Sequence, residues 1–559
     1  MIIVENCKSC YKIIIGENAS PSEKHSANEL QMFLREISGV EIPIVSDKTP
    51  PSDYEIIIGE NDHLSKLGID IDFDKLNEGF AIRTFGNKLI IAGGKLRGTM
   101  YGVYTFLEDY LNCRWFTSNV SRIPKKDRIE LRQINKTEIP ELEYREPFYT
   151  DAFDGDWCAR NKMNSTTARL TKDQGGKITY SHFVHTFDAI LSPKDHFAEH
   201  PEYFSEIDGK RISEHTQLCL TNPYVLKTAI EKVRQWIKES PEANIFSVSQ
   251  NDWYNPCQCS KCKAIDDAEG SHSGTMLWFV NQVAEAIEKD YPDKAIDTLA
   301  YQYTRKPPKT IKPRKNVIVR LCSIECCFSH PLDECEVNAS FKADIEGWSE
   351  ISDRLYIWDY VTDFSHYLLP FPNLYVLKPN IQFFINHGVK GIFEEGNYSG
   401  GGKGEFAELR AYVLAKLLWN PNYDTDTAID EFLEGYYGKS ASPIREYINI
   451  LHGNVMCDKS LHMNIWANPK IGYLSEDNIS LAEELFDKAE KMADNDDILA
   501  RVLVARLPIQ YVRISNLSEN DPKRLDIINK FIDVVDKEGI TNISEGMSMD
   551  AYKKLINKK

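Results

Sequence analysis

The hydrophobic pattern of the first segment predicts a small α/β domain. Residues 11–18 and 54–61 both read as Tyr, a charged residue, three isoleucines, Gly, Glu and Asn, which is typical of a buried strand ending in a glycine turn. A capping box at residues 20–23, with proline at the first helical position, predicts a helix that ends at Gly39. A second helix follows over about residues 99–111.

The middle of the chain alternates apolar runs with amphipathic segments. Eight runs are strand candidates, at residues 143–150, 181–186, 217–221, 244–249, 296–303, 317–324, 355–360 and 389–393. Periodic apolar positions predict helices at residues 225–237, 273–289 and 374–386. This alternation predicts an α/β fold built around a (β/α)8 TIM-like barrel, and an open doubly wound sheet is the alternative.

From about residue 406 onward the pattern becomes helical. Amphipathic segments lie at residues 409–419, 428–436, 481–492 and 498–517. We therefore predict three domains: an N-terminal α/β domain over residues 1–135, the barrel over 136–425, and a helical C-terminal domain over 426–559.

Composition and charge narrow the function classes. The hydrophobic share of 42% and the charged share of 27% are ordinary for a packed globular protein. A formal net charge of −18 argues against a nucleic-acid partner, because such partners are bound by basic surfaces.

The sequence contains neither a run that would span a membrane nor a recognisable export signal, so we expect a cytoplasmic protein, or a secreted or surface protein whose signal was removed. The oligomeric state stays open.

Acidic residues end several of the predicted strands. Asp252, Asp359 and Glu394 each follow an apolar run and are flanked by Trp, Tyr, Phe or Asn. At the carboxyl ends of barrel strands, acids of this kind transfer protons, aromatic rings stack on sugars and amides bind hydroxyls. An enzyme that cleaves glycosidic bonds is the leading hypothesis.

The candidate catalytic residues are Asp252, Glu394, Asp359 and Glu325. Asp252 is the first choice, with a turn-capping aspartate as the structural alternative. Successive strand residues point to opposite faces, so we prefer Glu394 over Glu395 and assign Glu395 to a structural ion pair or the mouth of the site. Asp359 and Glu325 are candidates for orienting a sugar substituent, or for packing roles. Whether the carboxyls lie about 5 Å apart or about 6.5–9.5 Å apart stays open.

Rings, amides and histidines near these acids form a candidate sugar-binding set. Its members are Gln250, Asn251, Trp253, Tyr301, Tyr303, Trp358, Glu395, Asn397, Tyr398, His182 and His185. Rings at a wet site stack on sugar faces, although any one ring is more often part of a core. His200 is a weaker candidate of the same kind.

Thirteen cysteines, an odd number, favour a reducing compartment. Cys257, Cys259 and Cys262 form one group, and four further cysteines follow another strand at positions 322, 326, 327 and 335. Together they offer enough thiolates for a structural zinc ion. Buried thiols or a disulfide fit the spacing better, so we expect no metal and no cofactor.

Several motifs resemble known families. Residues 96–108 resemble the end of the N-terminal domain of α-glucuronidases and β-hexosaminidases. A narrower resemblance is carried by residues 200–205, 250–253, 324–327, 356–360 and 391–398. These are similar to glycoside hydrolase family 163, long described as a bacterial domain of unknown function.

The resemblance covers nearly the whole chain and implies an endo-β-N-acetylglucosaminidase acting on N-glycans or their fragments. We prefer a substrate-assisted, retaining mechanism, with an oligosaccharide or glycoprotein glycan as the partner, and the sequence leaves the stereochemical outcome open. Two alternatives stay open. An exo-α-glucuronidase needs a cation near the pocket, and Arg305, Lys306 and Arg320 are available. A non-catalytic glycan-binding protein needs none of the acids.

Overall fold

A computed structural model describes residues 1–94, 96–399 and 401–557. Its first strands are β1 (Ile2–Glu5), β2 (Lys12–Ile15), β3 (Ile44–Ser46), β4 (Glu55–Ile58), β5 (Phe80–Phe85), β6 (Lys88–Gly93), β7 (Arg114–Trp115), β8 (Ser121–Arg122), β9 (Arg128–Glu130) and β10 (Asn135–Glu138). The first helices are α1 (Pro21–Ser38), α2 (Asp62–Lys66), α3 (Phe73–Leu76) and α4 (Gly98–Asp109). One sheet has the strand order β10-β5-β6-β4-β2-β3.

The repeated isoleucine motifs form neighbouring parallel strands of this sheet. Ile13 of β2 pairs with Ile56 of β4, and both pack with α1 and α4. Ile14 and Ile57 point to the other face, where they pack with Leu64 of α2. Both faces are therefore covered, as expected for strands that are apolar at every position.

The predicted capping box and glycine end of α1 are confirmed. The Ser20 hydroxyl accepts from the backbone N–H of Glu23, and the Glu23 carboxylate accepts from the backbone N–H of Ser20. Gly39 ends the helix with φ of 74°, a conformation that favours glycine. The apolar face of α1 is buried, so the predicted periodicity is also confirmed.

The middle of the chain builds a second sheet. Its strands are β11 (Tyr144–Phe148), β14 (Ile245–Ser247), β15 (Ala295–Ala300), β16 (Val317–Cys322), β17 (Leu355–Tyr360) and β18 (Val389–Glu395), and a separate hairpin holds β12 (Glu206–Ile207) and β13 (Lys210–Arg211). The helices are α5 (Gly155–Arg160), α6 (Phe187–Ile190), α7 (Pro193–His196), α8 (Pro223–Glu239), α9 (Ser260–Glu269), α10 (Ser273–Glu288), α11 (Ala339–Ile351), α12 (Leu374–Asn386) and α13 (Ala407–Trp419).

Within the described residues this sheet is a parallel half-barrel with the order β11-β18-β17-β16-β15-β14. A closed barrel of eight strands is therefore not confirmed, because six of the eight predicted strands form. Residues 181–186 run beside β14 through backbone hydrogen bonds such as Ser181 N–H to Ile245 O (3.1 Å), without becoming a strand. Residues 217–221 make a single bridge, between Leu218 and Phe204.

A buried cation fills the interior of the half-barrel. Arg320 of β16 is fully buried, and its Nε lies 3.4 Å from a carboxylate oxygen of Asp297 on β15. Aromatic rings surround the guanidinium, including Phe183 at 4.8 Å and Tyr180 at 5.0 Å from the ring centroids. The charge pair and the rings therefore form the floor below the carboxyl ends of the strands.

The last segment is helical, as predicted, but it also contributes a hairpin. Its elements are α14 (Thr425–Tyr437), α15 (Ala441–Cys457), α16 (Glu476–Met492), α17 (Asp496–Asn516), α18 (Pro522–Lys537), β19 (Asn542–Ser544), β20 (Met547–Ser548) and α19 (Met549–Ile556). The loop after β17 bonds to this segment, since Phe364 N–H donates to Ile465 O (2.9 Å) and Glu545 N–H donates to Phe364 O (2.9 Å). C-terminal residues thereby reach the half-barrel.

Across the described ranges, no helix has both the length and the apolar character needed to cross a lipid bilayer.

Candidate active site

A pocket of about 260 Å³ opens at the carboxyl ends of the half-barrel strands. It is lined by His185, Asp252, Leu299, Tyr301, Cys322, Ile324, Trp358, Tyr360, Phe364, Glu395, Ile465, Trp466 and Glu545. Acids and aromatic rings therefore converge at the edge of the parallel sheet where active sites of this kind of fold lie.

Asp252 is exposed to the pocket on the loop that follows β14. The Tyr301 hydroxyl donates to its Oδ1 atom at 3.0 Å. The amide of Gln302 in turn donates to the Tyr301 oxygen at 2.9 Å. These contacts hold the carboxylate of Asp252 in one orientation at the pocket.

Glu395 ends β18 and is 8% exposed in the same pocket. Trp358 Nε1–H donates to its Oε2 atom at 2.8 Å. Burial is the main cause that raises the pKa of Glu395 to about 8, with smaller upward contributions from the negative charges of Glu545 and Asp252 and a downward one from the Trp358 hydrogen bond. The group is therefore protonated at neutral pH and suited to donate a proton.

The structure favours Glu395 over Glu394 as the acid at the pocket. Glu394 is 1% exposed and lies outside the pocket lining, and neither of its carboxyl oxygens has a hydrogen-bond partner among the described residues. Strand β18 has a register shift between Val389 and Gly391 but pairs in step with β17 from Gly391 to Glu395, so its neighbouring acids point to opposite faces, and Glu395 is the one that faces the pocket. The sequence could not decide which face of the strand met the pocket.

Asp359 lies with Glu394 beneath the surface, paired across β17 and β18. It is 1% exposed and accepts a hydrogen bond from the Ser323 hydroxyl. Burial raises the pKa of Asp359 to about 6, while burial and the charge of Asp359 raise the pKa of Glu394 well above its ordinary value. These two acids form a buried pair outside the pocket lining, so neither of them shares the pocket with Asp252.

Glu325 lies outside the pocket lining. Its carboxylate is 42% exposed and forms an ion pair with Arg305 at 3.0 Å. Its neighbour Ile324 lines the pocket instead.

Among the predicted sugar-binding residues, His185, Tyr301, Trp358 and Glu395 line the pocket. His185 has φ of 55° and its Nδ1 lies 2.7 Å from the Gln250 carbonyl oxygen, so a strained backbone turn aims the ring at the mouth. Trp358 orients the carboxyl of Glu395 as described above.

The other members of that set have structural contacts outside the pocket lining. Gln250 donates to Thr304 and Asn251 donates to Asp188, while Trp253 donates to the Thr216 carbonyl. Asn397 donates to the Lys403 carbonyl, and Tyr398 donates to Glu545 at 3.1 Å.

Two more rings of the set turn away from the pocket. His182 stacks on Trp236 of α8 at a centroid distance of 3.9 Å. Tyr303 packs on His272, and the weaker candidate His200 pairs with Glu202 at the surface.

Sequence reasoning missed the residues that come from the C-terminal segment. Ile465, Trp466 and Glu545 line the pocket although they lie far from the strand ends in sequence. Trp466 is 52% exposed, and a tryptophan between asparagines in a polar loop is a signal that was available. Glu545 carries no comparable signal, because only the backbone contacts of its hairpin bring it to the pocket.

The cysteines fall into different groups from those predicted. Cys257, Cys259 and Cys262 are joined by Cys219, and Cys327 and Cys335 are joined by His330 and His462. The ligand atoms of each group lie within 4.8 Å of one another. Cys322 lines the pocket, and all thirteen cysteines are free thiols, so the disulfide alternative has no support.

Comparison with solved structures shows which known folds this chain resembles. A family GH115 4-O-methyl-α-glucuronidase with specificity for decorated arabinogalactans matches with a TM-score of 0.59 at 13% identity, covering 98% of this chain and 78% of the other. CpGH84D matches with a TM-score of 0.49 at 10% identity, covering 96% and 91%. A GH138 enzyme targeting pectin rhamnogalacturonan II matches with a TM-score of 0.45 at 12% identity, covering 94% and 72%.

Two family models match separate parts of the chain. Residues 4–106 match the N-terminal domain of glycosyl hydrolase family 67, and no curated protein sequence matches the chain. This domain, the fold and the acid-lined pocket support a glycosidase. Residues 115–449, more than half of the chain, match the model described as a domain of unknown function, DUF4838, and the chain belongs to that family.

Proposed function

We propose that the chain is a glycoside hydrolase of the family 163 type, an endo-β-N-acetylglucosaminidase that acts on N-glycans or their fragments. The observation that carries the proposal is the pairing, in one aromatic pocket, of the buried carboxyl of Glu395, held by Trp358, with the exposed carboxylate of Asp252. Glycoside cleavage needs these two roles: an acid for the leaving oxygen and a negative group or nucleophile at the anomeric carbon.

Glu395 is the proposed proton donor. Its raised pKa keeps the carboxyl protonated at neutral pH, and Trp358 fixes one of its oxygens. As the glycosidic bond breaks, Glu395 gives its proton to the leaving oxygen, and the carboxylate formed then takes a proton from the attacking water.

Asp252 and Tyr301 are the proposed partners of the 2-acetamido group. The carboxylate of Asp252 accepts a hydrogen bond from the acetamide N–H, and the Tyr301 hydroxyl holds that carboxylate in place by donating to its Oδ1 atom. The acetamide oxygen attacks the anomeric carbon, and the negative charge of Asp252 stabilises the positive ring that forms. Water then opens this ring, so the configuration of the anomeric carbon is retained.

The uronic acid alternative lacks a cation at the pocket. Within the described part of the chain, the pocket lining contains no lysine or arginine. Arg305 is paired with Glu325 and Asp344, and Arg320 is fully buried against Asp297. The carboxylates of Asp252 and Glu545 line the pocket instead, and their negative charges would repel a uronate carboxylate. The experiment still includes this second candidate, because the fold is similar to that of a GH115 glucuronidase and the N-terminal residues match the family 67 model.

A substrate panel separates the candidates. We expect the protein to release glycans from a mixed N-glycoprotein, detected by mass spectrometry, and to leave an aryl α-glucuronide intact. Replacing the N-acetyl group of a cleaved substrate with N-trifluoroacetyl should slow turnover, because its oxygen is a weaker nucleophile. Release of glucuronate, or glycan binding without turnover, would each overturn the proposal in favour of the corresponding alternative.

The pH profile reports the state of Glu395. With a folded-state pKa of about 8, the carboxyl loses its proton above that pH, so kcat/KM should fall on the alkaline side near pH 8. Glu545→Gln removes a negative charge that raises this pKa, and the alkaline limb should move to lower pH. Glu519→Gln, which changes an exposed acid elsewhere in the C-terminal segment, is the matched control and should leave the limb in place. If the alkaline limb of the pH profile does not move in Glu545→Gln, the assignment of that limb to Glu395 is contradicted.

A further inference from the structure

We propose that Cys219, Cys257, Cys259 and Cys262 bind a structural zinc ion. The four sulfur atoms lie within 4.8 Å of one another, and all four residues are buried. The Cys219 sulfur lies 3.7 Å from that of Cys259 and 4.0 Å from that of Cys262. A zinc ion with Zn–S bonds of about 2.3 Å requires tetrahedral S–S edges of about 3.8 Å, whereas a disulfide requires about 2.05 Å.

The surroundings of the cluster suit thiolates. The backbone N–H of Glu206 donates to the Cys257 sulfur at 3.4 Å, and the Arg211 guanidinium lies 3.5 Å from the same atom. Four zinc-bound thiolates carry a net charge of −2, which these donors partly offset. On binding, the thiols release their protons to solvent and zinc takes the four sulfur lone pairs, without any redox change.

The zinc would join separate parts of the chain near the pocket. Cys219 precedes α8, whereas Cys257 and Cys259 lie on the loop that begins at Asp252 and ends at α9. A zinc ion bound by these cysteines anchors the loop that carries Asp252 to the segment that carries Cys219. This function is structural, because the cluster lies outside the lining of the acid pocket.

A second cluster supports a second zinc site on independent evidence. Cys327, His330, Cys335 and His462 bring two sulfur and two nitrogen atoms within 4.8 Å of one another. The His462 Nδ1 lies 3.3 Å from the Cys327 sulfur and 3.7 Å from the Cys335 sulfur. The Nε2 atom of His330 is buried and has no hydrogen-bond partner in the described part of the chain, which is the state of a histidine nitrogen suited to a metal.

This second site would fix a wall of the pocket. His462 lies on the loop that carries Ile465 and Trp466 into the pocket lining, and the other three ligands follow β16. A zinc ion here clamps the C-terminal loop to the half-barrel, and so holds the exposed Trp466 ring at the mouth.

Metal analysis of the full chain tests both sites. We expect protein made in zinc-supplemented medium and purified without chelator to hold two zinc ions per chain by mass spectrometry of the metals. X-ray absorption should show sulfur at about 2.3 Å and nitrogen at about 2.0–2.1 Å, in the ratio three to one that a four-cysteine site and a site of two cysteines and two histidines give together. Wild-type protein with zinc far below one per chain, or with iron instead, would overturn the proposal without any variant.

Variants then assign each ion. Cys259→Ser combined with Cys262→Ser should remove one zinc and leave a mixed sulfur and nitrogen shell. Cys335→Ser combined with His462→Ala should remove the other and leave sulfur ligands alone. Cys326→Ser is the control, since this buried thiol lies in the same loop as Cys327 but outside the cluster. Zinc content that neither double variant changes would contradict the assignment of the ligands.

Discussion

Glu395→Gln is expected to lower kcat on the glycan released in the substrate panel by about 10²–10⁴-fold, the usual contribution of a positioned general acid. Glutamine keeps the size of the side chain and its contact with Trp358 but has no proton to give to the leaving oxygen. KM should change less than kcat, because the exchange preserves the shape of the pocket. Steady-state kinetics, with circular dichroism to check the fold, measures the effect.

Glu394→Gln is the matched control, one residue away on the same strand. It should leave kcat near the wild-type value, because Glu394 lies outside the pocket lining. It should also stabilise the fold at neutral pH. Folding raises the pKa of Glu394 above its ordinary value of 4.5, so this carboxyl ionises at lower pH in the unfolded chain than in the folded one. The folded state therefore loses stability relative to the unfolded state as the pH rises above 4.5. Glutamine cannot ionise and avoids this loss.

The two variants together discriminate between the adjacent acids. Loss of activity in Glu394→Gln with normal activity in Glu395→Gln would overturn the assignment of the proton donor. It would also mean that strand β18 presents its other face to the substrate.

Arg320→Met is expected to destabilise the half-barrel by about 3–5 kcal/mol, the usual cost of breaking a buried ion pair. The substitution leaves the carboxylate of Asp297 buried with hydrogen bonds from Ser247 and Tyr180 but without its cation. It also removes the guanidinium from the rings of Phe183 and Tyr180. Urea denaturation followed by tryptophan fluorescence measures the change.

Two controls show whether the buried charge is the cause. Adding Asp297→Asn to Arg320→Met should recover part of the loss, because no unpaired charge then remains in the interior. Arg35→Met, which breaks an exposed pair with Glu41, should change stability by less than about 1 kcal/mol. A similarly small effect of Arg320→Met would show that the interior pair does not support the fold.

Local patterns predicted the elements whose causes are local. The capping box at Ser20, the glycine end at Gly39 and the apolar face of α1 all follow from neighbouring residues. Six of the eight predicted strands formed, and nearly all of their residues are buried, as parallel strands with both faces covered require. Tertiary contacts hold the segments at residues 181–186 and 217–221 outside the named strands, a difference that their local pattern did not predict.

The sequence predicted the position of Asp252 because this residue lies on the loop after β14, and strand ends meet at one edge of a parallel sheet. The neighbouring amides and Trp253 shared that location, but they bond to backbone and side chains beside the loop instead of lining the pocket. Proximity in sequence to a strand end is therefore not enough to bring a side chain into the site.

The amino-acid sequence by itself determined the strands, the helices and the acidic strand ends, since propensity, capping and periodicity act between residues close in the chain. Only the tertiary structure decided that Glu395 and not Glu394 faces the pocket, and that Cys219, His462, Trp466 and Glu545 join distant partners. The physical reason is that the packing of the sheet determines which face of β18 is turned toward the pocket. The same packing brings a C-terminal hairpin and loop, which no local pattern links to the strands, against the mouth of the half-barrel.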